Sequence, residues 1–101
     1  MGNQDVNIII KSIFSLMEKV KLSSLQEGEK RALITLLDRL YTYYVKKREK
    51  ILKRDINGEP TNEKLMVLES MVTDILMEIN DILIGDRDIY YFTSVINKRI
   101  K

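Results

Sequence analysis

Between positions 46 and 54 the chain reads Lys46-Lys47-Arg48-Glu49-Lys50-Ile51-Leu52-Lys53-Arg54, six cations and one anion in nine residues. The chemistry open to such a run is electrostatic: it can hold phosphates or an acidic protein surface. The same run suits the last turns of a helix, where cations offset the negative end of the helix dipole. A second basic group, Lys98, Arg99 and Lys101, follows near position 100. Carboxylates recur at helix spacing, as Asp74 with Glu78 and Glu78 with Asp81. That is the spacing of one solvated helix face, and no second segment offers a partner acid or base. Gly85, Asp86 and Asp88 resemble a fragment of a calcium loop but lack its twelve-residue ligand pattern, so they read as turn and cap.

Other chemistries are bounded by composition. The 101 residues contain no cysteine and no histidine. Thiolate metal sites, disulfides and cysteine nucleophiles are thereby excluded, and the commonest general base is missing. No Gly-rich phosphate loop or nucleophile elbow is present. The expectation is a protein that is not an enzyme, with no catalytic residue, metal, cofactor or small-molecule substrate. No run of 18 apolar residues appears, so no membrane contact is expected. Met1-Gly2 is not followed by serine or threonine at position 6, which is Val6, so myristoylation is not expected. Without a basic leader ahead of an apolar core, a cytoplasmic location is expected.

The elements that must carry these residues read as helices. One proline and four glycines leave few turn residues for a sheet. A first helix spans about 5–21, with Asp5 as cap and Val6, Ile9, Ile10, Ile13, Met17 and Val20 on one face. Ile8, Phe14 and Leu16 lie off that stripe, which points to a helix buried on more than one side. The spacing Ser24-Leu25-Gln26-Glu27 has the form of a capping box. It opens a second helix that runs to about 54 through Leu33, Leu36, Leu37, Leu40, Tyr44, Ile51 and Leu52. Asn57-Gly58 and Pro60 end it.

A third helix over 61–84 carries Leu65, Leu68, Met71 or Val72, Ile75, Ile79 and Ile82 at alternating three- and four-residue steps, the spacing of a coiled-coil seam. Gly85 stands where a C-cap glycine belongs. A fourth helix starts near Asp86 or Asp88 and holds Ile89, Phe92, Val95, Ile96 and Ile100. Short connections favour antiparallel neighbours. The fold class is therefore all-α: an up-down antiparallel bundle of about four helices, a single domain over 1–101.

Charge is unevenly spread along these helices. Residues 1–22 carry three basic and two acidic groups; residues 23–58 carry nine and five; residues 59–87 carry two and seven; residues 88–101 carry three and one. The basic second helix and the acidic third can simply pair, at ~0–1 kcal/mol per exposed ion pair. Alternatively Lys46, Lys47, Arg48, Lys50, Lys53 and Arg54 join Lys98 and Arg99 in a patch for nucleic acid or an acidic partner. Glu59 and Glu63 would neutralise part of it. Among the apolar residues, Met66, Met71 and Met77 read as core filler. Ile8, Phe14, Tyr43, Tyr90 and Tyr91 fall off the core faces and are candidates for a protein interface, where tyrosine is enriched.

The stretch Leu40-Tyr41-Thr42-Tyr43-Tyr44-Val45-Lys46-Lys47-Arg48-Glu49-Lys50-Ile51-Leu52 resembles the helical domain of archaeal GINS subunits, replication factors of the helicase complex. Those domains carry a long helix with a tyrosine- or leucine-rich seam leading into an Arg-x-Lys-Ile element, then another amphipathic helix, here from Thr61-Asn62-Glu63. The resemblance covers roughly residues 24–84. GINS subunits also have a small β-rich domain, for which a single helical domain offers no counterpart. A small accessory subunit of a DNA polymerase or replisome fits the same pattern.

The resemblance implies a non-catalytic replication scaffold, in which Arg48, Lys50 and Ile51 organise the bundle rather than read DNA. The leading expectation is a non-enzymatic module with a protein partner, either a larger complex or a second copy. A nucleic-acid-binding protein and a small inhibitor or immunity-type bundle stand beside it.

Overall fold

A computed structural model describes residues 7–54, 61–85 and 88–100. Among these residues the chain forms four α-helices and no strand: α1 (Ile8–Leu22), α2 (Glu27–Arg54), α3 (Thr61–Ile84) and α4 (Ile89–Arg99). The expected all-α bundle is what the chain builds.

The helix starts differ from the sequence reading. Asn7, not Asp5, caps α1: its Oδ1 accepts from the amides of Ile9 at 2.9 Å and Ile10 at 3.3 Å. Asp5 and Val6 lie outside the described residues. The helix ends at Ser23, whose amide and hydroxyl both donate to the Val20 carbonyl, at 3.2 and 2.6 Å. Lys30 Nζ donates to the Lys21 carbonyl at 3.1 Å, closing the turn between α1 and α2. Because Ser23 still finishes α1, the cap of α2 moves two residues beyond Ser24. The Gln26 amide donates to Glu29 Oε1 at 3.1 Å, one half of a capping box.

The bounds of α3 are those read from its seam, and the Gly85 amide donates to the Asp81 carbonyl at 2.9 Å just past its end. Asp88 caps α4 by accepting from the Tyr91 amide at 3.1 Å.

Contacts along the chain give the topology. Asn7 meets Tyr44, Phe14 meets Tyr41 and Lys30 meets Lys21, so α1 and α2 run antiparallel. Tyr44 meets Glu69 while Ile51 shares a groove with Glu63, so α2 and α3 run antiparallel too. Tyr90 lies over Gly28 and Arg39 donates to Asn97, which sets α4 parallel to α2. Thus α2 is the spine: α1 and α3 pack on it and on each other, and α4 packs chiefly on α2 rather than on α3. At 28 residues α2 is about 42 Å long, in keeping with a molecular length of 47 Å.

The core joins Ile13, Leu16 and Val20 to Leu33, Leu36, Leu37, Leu40 and Tyr44, to Leu68, Val72, Ile75, Leu76, Ile79 and Ile82, and to Ile89, Phe92, Ile96 and Ile100. Each such aliphatic side chain contributes roughly 1.5–3 kcal/mol when fully buried. Leu16, read as off the core face, is buried. Both it and Leu76 line the junction of α1 with α3, which widens the buried face beyond one seam. Leu65 is only half-buried and Leu52 is exposed. Met66 and Met77 are exposed as well and do not fill the core; Met71 packs partly against it.

Candidate functional site

Lys46, Lys47, Lys50 and Lys53 are all exposed on the second half of α2. Arg48 is half-buried and turned towards Tyr44, whose ionisation its charge favours, so it leaves the cationic face. The Arg54 side chain lies outside the described residues. Lys46, Lys47 and Lys50 border a groove between α2 and α4, with Asp38, Arg39, Thr42 and Tyr43 on α2 and Asn97 and Ile100 at the end of α4. Arg39 Nη1 donates to Asn97 Oδ1 at 3.2 Å across this groove, and Lys47 Nζ sits 5.7 Å from the centre of the Tyr43 ring. Lys98 and Arg99 are exposed on the last turn of α4 but do not line the groove. With 11 residues against 28, α4 reaches only the level of Tyr43 to Lys50.

Among the described residues no ion pair within 4.0 Å joins α2 to α3. Among the described residues, none of Lys46, Lys47, Lys50 and Lys53 comes within 4.0 Å of a carboxylate, although Glu63 shares the α2–α3 groove with Lys47 and Lys50. The ion pair formed by Lys21 and Glu18, at 3.2 Å, lies within α1.

The five candidate interface residues are not one patch. Ile8 is exposed beside the α1–α3 groove, which Met77 also lines. Phe14 is half covered by Tyr41, with ring centroids 5.3 Å apart and planes tilted by 44°. Tyr43 is half-buried against α4. Tyr90 and Tyr91, 56% and 70% exposed, open α4 at the end of the bundle where α1 and α3 terminate. There the topology adds two residues the spacing had not singled out, Leu22 at 85% and Ile84 at 82% exposed. Helix ends place side chains outside any stripe, so periodicity carries no signal for them.

A polar junction sits within the core. Tyr44 is fully buried, and its hydroxyl accepts from Asn7 Nδ2 at 2.6 Å and donates to Glu69 Oε2 at 3.3 Å. Burial raises the Tyr44 pKa above the usual 10.0; the Asn7 hydrogen bond opposes that shift and the Glu69 charge reinforces it. Among the described residues every buried side-chain nitrogen or oxygen has a partner, as the cost of stranding one requires. No group of three or more carboxylates among them is placed to hold a metal ion. Asp86 lies outside the described residues.

No family model, curated protein or solved structure matches this chain. No helix among the described residues is long and apolar enough to cross a membrane. The surface of the described residues thus offers a cationic face towards the C-terminal end of α2 and, at the opposite end of the bundle, four exposed apolar side chains at helix ends.

Proposed function

We propose that this chain is a non-enzymatic helical interaction module, an accessory subunit that docks on a larger protein complex. The observation that carries the reading is the exposure of Leu22, Ile84, Tyr90 and Tyr91 at one end of the bundle. Four large apolar side chains facing water at one end of a bundle are costly, and an exposed apolar patch of that kind would mark a contact surface. Tyrosines with aliphatic neighbours have the composition of an interface centre. Exposed Lys21, Glu27, Asp81 and Asp88 near the same helix ends supply a polar rim. A replication complex is the setting we propose, on the resemblance of residues 24–84 to the helical domain of GINS subunits.

The test pairs light scattering with affinity capture, using the whole chain and the double variant L22E/I84E. Both positions are exposed, so the variant keeps its fold. The expected result is capture of a replication protein by the parent chain and its loss in the variant. A second copy as partner would show as a dimer that the variant dissociates. A parent chain that stays monomeric and captures the same proteins as the variant would reject the reading.

A further inference from the structure

Arg39, Lys46, Lys50 and Lys53 follow one another at helix spacing on a single face of α2, with Tyr43 on its flank. Towards the start of the helix the same face passes through Gly28 and Ala32. That half is covered by α4: Tyr90 approaches Gly28 so closely that a Cβ there would lie 2.6 Å from its hydroxyl. The cover stops at Ile100, beside Tyr43, Lys46 and Lys50. From Lys46 to Lys53, about two turns, the face is a row of exposed cations that no other described element covers past Ile100. We propose that this uncovered row of α2 is a track for the phosphate backbone of a nucleic acid.

Three observations favour that ligand. The ammonium groups of Lys46, Lys50 and Lys53 are exposed and unpaired among the described residues, so their charge remains for an outside partner. They follow one another about 5–6 Å apart along the helix, a linear row of charge along which a polyanionic backbone can lie. Among the described residues no exposed aliphatic side chain stands on that face of α2, as the centre of a protein interface would need; exposed Val67 borders Lys47 and Lys50 from the α3 side. Asp38 at the start of the groove and Glu49 on the flank offset part of the field. The track lies at the opposite end of α2 from Leu22, Ile84, Tyr90 and Tyr91, so this inference is independent of the docking reading and fails separately from it.

The experiment is fluorescence anisotropy of the full chain with a labelled duplex of about 20 base pairs and a single strand of the same length. Salt is varied from about 50 to 200 mM. Binding is expected to weaken with a log–log slope of about −3 on duplex, for about three phosphates neutralised. The variant K46Q/K50Q/K53Q should bind at least about tenfold more weakly with a slope near zero. K11Q/K19Q, two exposed lysines on α1, should leave affinity within about twofold. Circular dichroism confirms that each variant keeps its helices.

Duplex and single strand distinguish two forms of the same ligand, and saturable binding of either supports the track. Tyr43→Ala weakens the single strand more if bases stack on that ring. Absence of binding at the lowest salt overturns the proposal. So do equal losses in both lysine variants, which mean diffuse attraction, and capture of polyglutamate in preference to both nucleic acids, which means an acidic protein partner.

Discussion

Asn7 Nδ2 donates to the buried hydroxyl of Tyr44 over 2.6 Å, joining residues 37 apart in the chain. Asn7 does two things at once: its oxygen caps α1 and its nitrogen ties that cap to the middle of α2. Glu69 Oε2 accepts a hydrogen bond from the Tyr44 hydroxyl on the other side, so the start of α1, the centre of α2 and the first half of α3 meet at one phenol.

Removing Asn7 should therefore cost more than a cap. Asn7→Ala loses about 1 kcal/mol of capping and about 1 kcal/mol for the hydrogen bond to Tyr44. Urea denaturation should show a loss of about 2 kcal/mol. Asn7→Asp keeps the capping oxygen but removes the donor and sets a second carboxylate near Glu69. It should recover the capping share alone, read as renewed amide protection at Ile9 and Ile10.

Tyr44 should give the fold an alkaline limit. Its pKa is raised on folding, by burial first, so the unfolded chain loses this proton at a lower pH than the folded one. Stability from this group is complete below the ordinary value of 10.0 and falls as pH rises from there through the raised folded value. Tyr44→Phe is destabilised at neutral pH, since Asn7 and Glu69 lose their shared partner. Its stability should nevertheless fall less steeply above pH 10.0 than that of the parent. Equal slopes in the two proteins would show that the phenol does not set this limit.

Leu16 and Ile8 test the corrected face of α1. Leu16→Ala empties a site 6% exposed, between α1 and α3, and should cost about 2–4 kcal/mol in the same urea assay. Ile8→Ala removes a side chain already 77% exposed and should change stability by no more than about 0.5 kcal/mol.

Gly28→Ala examines the seat of α4. The added methyl meets the end of the Tyr90 side chain rather than backbone, and that ring is exposed enough to swing aside. Alanine's higher helix propensity should then raise stability, by up to about 1 kcal/mol and less in a first turn. A fall instead would mean that the Tyr90 contact holds α4 in place.

How far the sequence reaches is clearest in α3. Leu68, Val72, Ile75, Ile79 and Ile82 are buried as their spacing predicts, because one stripe at helix pitch can face only one way. The same logic placed Leu33, Leu36, Leu37, Leu40 and Tyr44 on the inner face of α2 and found the lysines at 46, 47, 50 and 53 on its outside. Helix existence, the inner faces and the cationic run are properties of local order, and local order is written in residue spacing.

Tertiary structure alone decided the rest. Leu16 and Leu76 are core because α1 touches α3 as well as α2, a contact no single helix encodes. Arg39 and Asn97 flank the lysines because α4 lies along α2 and stops short of its end. Arg48 faces Tyr44 although it sits inside the basic run, since helix rotation, not neighbourhood in sequence, sets direction. Leu22, Ile84, Tyr90 and Tyr91 share an end because three helix termini converge there. Spacing tells which side of a helix avoids water; it does not tell which helix arrives to cover it, since that depends on contacts between residues far apart in the chain.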